Sequence, residues 1–236
     1  MGDDWPPPEP LDPWPATAEG LIEVQQHLAA LSPAPWRPAG RPRSVAGCFV
    51  CFARGTRGPG AAGDLGWAAA AVLLDGRLAH VAVVRCEATA PYAPGLLALR
   101  EGPLLEAAAR GLPERPDVLL VDATGLDHPR RAGLALHLGA RLALPTIGVT
   151  ARPLVARGAW PIDAPGAASP LRAGDEIVGY WLRTKRGAAP LAVHAAWRTD
   201  AETALAVVRM LAGPWRTPEP LRQARRAARE ARAAAE

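Results

Sequence analysis

Four side chains in the middle of the chain have the types and spacing that phosphodiester chemistry needs. Glu101 and Asp122 are carboxylates, His128 follows Asp122 on the next loop, and Tyr92 precedes Glu101 in the Pro/Gly-rich segment 91–95. Clustered carboxylates bind hard divalent cations. An exposed aromatic ring can fill the gap that a base leaves when it rotates out of its stack. These residues therefore predict a site that binds a metal ion and a phosphodiester.

Each of these side chains also has a purely structural interpretation. Glu101 could be an acid in the first turn of a helix, where the helix dipole favours it. His128 before a proline and Tyr92 between prolines could both be loop-packing residues. Asp122 ends an apolar strand, and a carboxylate in that place is more often functional than structural.

The elements that must position these residues are short apolar strands. Runs over 44–53, 116–122 and 145–149 are predicted to be buried strands. The order of strand, loop, helix and strand between the last two indicates parallel strands whose functional loops lie at their C-terminal ends. Asp122 and His128 fall at such an end.

Two hairpins flank this centre. Asp75-Gly76 joins apolar runs over 67–74 and 77–85, which is the strongest short hairpin signal. Runs over 176–182 and 191–196 predict a second hairpin, and 151–175 is expected to be irregular. The sequence therefore predicts an α/β fold.

Helices are expected between and after these strands. Thr17 is predicted to cap one over 18–31, Gly102-Pro103 to start one, and Asp200 to cap another. The remaining predicted helical spans are 131–142, 201–212 and 221–236.

We expect a Pro/Trp-rich arm over 1–16, which contains Trp5, one domain over 17–220, and a basic helix over 221–236. The arginines of that helix are either a solvated surface or a phosphate-contacting arm; those on one face are Arg222, Arg225, Arg226 and Arg229.

The composition is that of a globular protein, and its moderate basicity either suits a polyanionic partner or reflects a general bias toward arginine. The 236 residues are 49% hydrophobic and 21% charged, with a net charge of +4 and a pI near 9.5. Three cysteines, an odd number, and an acidic N-terminus favour a reduced, cytoplasmic setting. Cys48 and Cys51 are more readily buried strand residues than half of a zinc site. No run resembles a membrane span, so no membrane partner is expected.

The ordered motifs resemble one known family. They are Val-Ala-Gly at 45–47, Pro-Tyr-x-Pro-Gly-x-Leu-x-x-Arg-Glu at 91–101, Val-Asp-x-x-Gly-x-x-His-Pro-Arg-Arg at 121–131, Pro-Thr-Ile-Gly-Val at 145–149 and Pro-Gly-x-x-Ser-Pro-Leu at 165–171. Over about residues 14–220 the chain closely resembles endonuclease V, the repair nuclease that acts on deoxyinosine and, in some members, on inosine in RNA.

The resemblance implies a ribonuclease-H-like mixed sheet flanked by helices on both faces. It also implies hydrolysis of the second phosphodiester bond 3′ of a deaminated purine, with DNA or RNA as the partner. Mg²⁺ is the implied cofactor and Mn²⁺ a possible substitute. Glu101 and Asp122 match metal ligands, and with His128 they match the catalytic set. The implied substrate-binding residues are Tyr92, Pro94, Gly95, Gly125, Leu126 and Gly148.

Three positions depart from the family pattern. Phe49 stands where the family has a metal-binding aspartate on the first strand. Ala151 stands where it has a lysine, and Trp197 where it has a histidine. The sequence therefore supports two hypotheses: a Mg²⁺-dependent endonuclease, or a catalytically impaired homologue that recognises inosine or distorted structure without cutting. Recruitment of the fold to an unrelated role is a weaker third.

Overall fold

A computed structural model describes residues 13–55 and 58–236, so Trp5 and most of the predicted arm lie outside the described residues. Eight strands form one mixed sheet in the order β3-β2-β1-β4-β5-β8-β7-β6. The strands are β1 (Ser44–Phe52), β2 (Leu65–Leu74), β3 (Arg77–Glu87), β4 (Val118–Val121), β5 (Thr146–Thr150), β6 (Ala168–Ala173), β7 (Glu176–Leu182) and β8 (Leu191–Ala195). The helices are α1 (Ala18–Ala30), α2 (Leu97–Arg110), α3 (Leu134–Arg141), α4 (Ala201–Met210) and α5 (Glu219–Ala235).

Three parallel strands form the centre of the sheet. β4 pairs in parallel with β1 on one side and with β5 on the other, and every other pairing is antiparallel. Cys48 of β1 lies opposite Val121 of β4. Phe49 and Asp122 therefore follow side by side, since adjacent strands lie about 4.8 Å apart. The position of the missing aspartate is thus next to Asp122.

The helices cover both faces of the sheet, as the ribonuclease-H-like prediction requires. One core joins α1, α2 and α3 to alternate strand residues such as Ala46, Cys48 and Leu119. The opposite core joins α4 and α5 to Val45 and Leu120. This alternation is the two-residue period of a strand buried on both faces.

The basic C-terminal helix packs directly on the sheet. Leu221, Ala224 and Ala228 of α5 are fully buried. At Gly47 of β1, an added Cβ would lie 2.6 Å from the backbone nitrogen of Leu221. Only glycine allows this close approach, which fixes α5 beside the C-terminal end of β1. No helix within the described residues is long and apolar enough to span a membrane.

The predicted start of the helix at Gly102-Pro103 was wrong. α2 begins at Leu97, and Pro103 lies inside it. Proline has no N–H to donate to the carbonyl four residues earlier, which here is that of Leu99. The hydroxyl of Thr89 donates a hydrogen bond to the Leu99 carbonyl instead. Glu101 consequently lies in the second turn of α2 and not in its first.

The two predicted hairpins are confirmed, but 151–175 is not wholly irregular. Its last part forms β6, which pairs with β7 at the edge of the sheet. The Gly158 region supports this edge, because the indole of Trp181 donates a 3.0 Å hydrogen bond to the Gly158 carbonyl. The strand was missed because Ala168–Ala173 contains a proline and only one buried residue, Leu171.

Candidate nucleic-acid site

A cleft at the C-terminal ends of β1 and β4 brings the two predicted carboxylates together. Phe49, Tyr92, Glu101 and Asp122 line it. Glu101 reaches it from α2, while Phe49 and Asp122 come from neighbouring parallel strands. The sheet edge predicted from the strand pattern is therefore the edge at which the acids meet.

The two carboxylates differ in their surroundings. Burial, together with the nearby charge of Asp122, raises the pKa of Glu101 to about 8. Asp122 accepts a 2.9 Å hydrogen bond from the guanidinium of Arg225 on α5 and forms an ion pair with it. Burial and the charge of Asp122 outweigh the nearby guanidinium of Arg100 and favour the neutral form of Glu101.

The position of the missing aspartate is covered by two arginines. The Cζ atoms of Arg225 and Arg229 lie 5.5 and 5.6 Å from the centre of the Phe49 ring, within cation–π range. Among the described residues no group of three His, Cys, Asp or Glu side chains is arranged to hold a metal ion. A two-metal centre needs bridging carboxylates. Glu101 and Asp122 do not fit such a centre. Phe49 of β1 supplies no ligand, and Arg225 is already paired with Asp122.

A second cavity adjoins the cleft and has the character of a base pocket. Its volume is about 280 Å³, and its apolar wall includes Leu97, Leu134 and Pro153. Tyr92 and Asp122 line both this cavity and the cleft. The volume is near the lower end of the range for small-ligand sites, roughly 300–1,000 Å³, which suits one planar base.

A hydrogen-bonded lock joins the tyrosine loop to the loop behind Asp122. The Gly95 carbonyl accepts hydrogen bonds from Gln25 (3.2 Å), from Arg130 (2.7 Å) and at 3.1 Å from Nε2 of His128. The Arg130 amide donates to Nδ1 of His128, so the neutral imidazole carries its proton on Nε2. Burial lowers the pKa of His128. His128 thus positions the pocket and does not reach the carboxylate cleft.

The far wall of the pocket is organised by a buried carboxylate. Asp127 is 0% exposed and accepts backbone hydrogen bonds of 2.6–2.8 Å from Leu154, Val155 and Ala156. His194 is equally buried, with Nδ1 3.5 Å from Asp127 and Nε2 2.8 Å from the hydroxyl of Thr150. Asp127 therefore fixes the segment that carries Pro153 and Leu154 to the cavity.

Comparison with known proteins assigns this arrangement to a family. The endonuclease V family model matches residues 36–226, which is most of the chain. The chain belongs to the endonuclease V family. Endonuclease V of Streptomyces coelicolor is 41% identical over 219 residues, covering 89% of each chain. The crystal structure of endonuclease V from Streptomyces avermitilis has a TM-score of 0.82 at 37% identity, covering 94% of this chain and 96% of that one.

One further structural relative extends the likeness of fold. Endonuclease V of Ciona intestinalis, in complex with DNA containing an inosine followed by a ribo-adenosine, has a TM-score of 0.76. It is 21% identical and covers 93% of this chain and 100% of that chain. The same fold therefore accommodates a nucleic acid in that protein.

The other residues carried over from endonuclease V serve mainly to shape the backbone. At Gly125 an added Cβ would lie 2.1 Å from the Ala195 carbonyl oxygen, and at Gly148 it would lie 2.4 Å from that of Ala123. Neither glycine lines the base pocket, and neither does Pro94 or Leu126; Gly95 does. Leu126 lines a separate cavity. The two glycines let the β4, β5 and β8 ends approach closely.

Two of the three departures lie away from the cleft. Ala151 is exposed. Trp197 packs partly buried against the core, and its amide donates to Thr146. Of the three positions only Phe49 lines the carboxylate cleft, so it is the departure with a direct chemical consequence.

Sequence reasoning missed the cleft arginine and the residues behind the pocket. Gln25 lies on α1, whereas Asp127 and Arg130 lie on the loop behind Asp122, and these two segments meet only in the fold. Arg225 was noted only as one of four basic helix residues. The spacing of Arg225 and Arg229, one helical turn apart, was the available signal.

Proposed function

We propose that the protein recognises deaminated purines in nucleic acid, as an endonuclease V homologue whose cleavage step is impaired. A single observation carries recognition: Tyr92 and Asp122 each line both the base pocket and the cleft. A nucleotide with its base in the pocket would have a neighbouring backbone phosphodiester at the cleft. The impaired cleavage step follows from Phe49, which stands where the family has a metal-binding aspartate. Inosine in DNA is the first substrate to test and inosine in RNA the second.

Base extrusion is the step that the pocket supports. Rotating a base out of the stack costs a few kcal/mol, and less at a mismatch such as deoxyinosine. Tyr92 is 47% exposed and can stack in the vacated space. The lock around the Gly95 carbonyl holds the Tyr92 loop next to the pocket, so wedge and pocket would act together.

Hydrolysis 3′ of the base is the second candidate, and the family membership favours it. Endonuclease V nucleases are generally metal-dependent, and Mg²⁺, or Mn²⁺ in its place, would be held by Glu101 and Asp122. Phe49 and the Arg225–Asp122 ion pair weigh against this candidate, since both reduce the ligands available.

A cleavage and binding assay separates the two candidates. The substrates are a duplex with one deoxyinosine, its deoxyguanosine counterpart, and a single-stranded RNA with one inosine. We expect tighter binding of an inosine substrate and no cutting at stoichiometric protein with Mg²⁺ or Mn²⁺. Multiple-turnover cutting would establish the nuclease candidate. Equal affinity for inosine and guanosine substrates would refute recognition of deaminated purines.

The cytoplasmic location of the protein stays a prediction. Cys48, Cys51 and Cys86 are all free thiols, which accords with a reducing cytoplasm.

A further inference from the structure

The C-terminal helix places two guanidinium groups over the ring of Phe49, a residue that lines the carboxylate cleft. Arg225 and Arg229 are one turn apart on α5 and both lie over the Phe49 ring. The helix cannot withdraw easily, because Leu221, Ala224 and Ala228 are fully buried against the sheet. The helix therefore keeps both arginines beside the cleft.

The two arginines have different partners. Arg225 donates to Asp122 at 2.9 Å and to the Thr217 hydroxyl at 3.1 Å, and its Nε is buried without a partner. The positive charge of Arg225 therefore offsets the negative charge of the Asp122 carboxylate. Arg229 is exposed and makes no hydrogen bond or ion pair to any other described residue, so its N–H donors are available to a ligand.

We propose that Arg229, with Asp122 neutralised by Arg225, binds a backbone phosphodiester of nucleic acid at the cleft without a divalent cation. The inference rests on the proposed function, because it assumes that nucleic acid enters this cleft. Guanidinium groups suit the ligand, since their planar donors match phosphate oxygens. Phe49 contributes the aromatic surface on which both guanidinium groups stack.

A guanidinium site for the backbone and a metal-dependent one differ in their response to chelators. Guanidinium groups stay charged across the accessible pH range and are indifferent to chelators. Binding of nucleic acid should therefore persist in EDTA and should weaken with salt, because each phosphate contact releases counterions.

The first test compares Arg229→Ala with Arg226→Ala. Arg226 is on the same helix but is exposed and paired with Glu230, so both variants lose one positive charge. Affinity for the deoxyinosine duplex is measured by fluorescence anisotropy in EDTA over a series of salt concentrations. For Arg229→Ala we expect a roughly five- to tenfold loss of affinity and a log–log salt slope smaller by about 1. Arg226→Ala should match the unaltered protein.

The second test exposes the charge of Asp122. In Arg225→Ala the carboxylate loses its cation and should repel the phosphate, so binding in EDTA should weaken by about tenfold or more. Mg²⁺ should restore most of that loss, whereas it should not strengthen binding by the unaltered protein, where it acts only as a competing counterion. Arg225→Gln serves as a second variant that keeps a hydrogen bond to Asp122, and thermal melting verifies that both fold.

The outcomes separate this inference from the proposed function. If the unaltered protein binds the duplex only with Mg²⁺, or if Arg229→Ala behaves as Arg226→Ala does, the inference is overturned while base recognition stands. If Arg225→Ala binds equally with and without Mg²⁺ at full affinity, the neutralising role of Arg225 is wrong. If the unaltered protein binds no inosine substrate at all, the proposed function fails.

Discussion

The base pocket and the carboxylate cleft share Tyr92 and Asp122, yet they have departed from the family pattern to different extents. The pocket keeps its loops and a closed hydrogen-bond lock around the Gly95 carbonyl. The cleft has Phe49 where the family has an acid, and its Asp122 is paired with Arg225. Under the proposed function, base recognition would depend on the two loops joined at Gly95, and cleavage on the acids of the cleft.

The difference also shows how the net charge around a metal site can change while the fold stays the same. An acid at position 49 would lie beside Asp122 and add negative charge that a cation must offset. Phenylalanine removes that charge and offers a ring on which arginines stack. The two observations are linked, since Arg225 contacts both Phe49 and Asp122.

The largest expected effect comes from restoring the acid. Phe49→Asp combined with Arg225→Ala should raise the Mg²⁺-dependent rate of cutting a deoxyinosine duplex by at least about 100-fold, because it supplies a ligand and frees another. Product is measured on a denaturing gel under single-turnover conditions. Phe49→Asn with Arg225→Ala is the matched neutral control. If both double variants stay inactive, the cleft lacks more than one ligand.

A smaller effect is expected when Asp127 no longer holds the segment 154–156 against the pocket. Asp127→Asn can no longer accept all three backbone hydrogen bonds from 154–156, and its amide nitrogen would face an N–H donor. We expect the free energy of unfolding to fall by about 2 kcal/mol. The ratio of affinities for the inosine and guanosine duplexes should also become smaller. Urea unfolding and anisotropy report the two effects. The exposed Asp175→Asn is the control, and an unaltered preference would separate Asp127 from recognition.

Removing the Tyr92 ring, the proposed wedge between bases, should lower the affinity for nucleic acid but leave the stability of the fold unchanged. Tyr92→Ala loses base stacking worth about 1–3 kcal/mol, so inosine-duplex affinity should fall about tenfold. Tyr92→Phe should retain it, because the Tyr92 hydroxyl makes no hydrogen bond within the described residues. A single-stranded inosine substrate, which needs no strand separation, should lose less. Equal losses on both substrates would contradict a wedge role.

The smallest expected effect is a pH dependence confined to the pocket. Burial, opposed by the Gly95 hydrogen bond, lowers the pKa of His128 below its ordinary 6.5. The lock is thus fully present above that pH and is lost as pH falls through the lowered value, because protonated Nδ1 cannot accept from Arg130. Inosine preference should decline about threefold at acidic pH, measured as the ratio of affinities for inosine and guanosine duplexes. In His128→Gln that ratio should not vary with pH.

Much of the fold followed from local signals. Asp75-Gly76 between apolar runs defined a hairpin, and short apolar runs defined β1, β4 and β5. The start of α2 did not follow, because Thr89 satisfies the carbonyl that Pro103 leaves free. That rescue comes from a residue outside the helix, and β6 was likewise hidden by its edge position and its proline.

The sequence by itself determined the family, the sheet and the identity of the absent acid, because these depend on ordered motifs and on the two-residue period of strands. Only the tertiary structure decided which charged groups lie beside the position of the absent acid. Arg225 lies 103 residues beyond Asp122, and no local pattern indicates that α5 returns to that strand end. The close approach of α5 at Gly47 brings the two guanidinium groups over Phe49, and this packing sets the charge of the cleft.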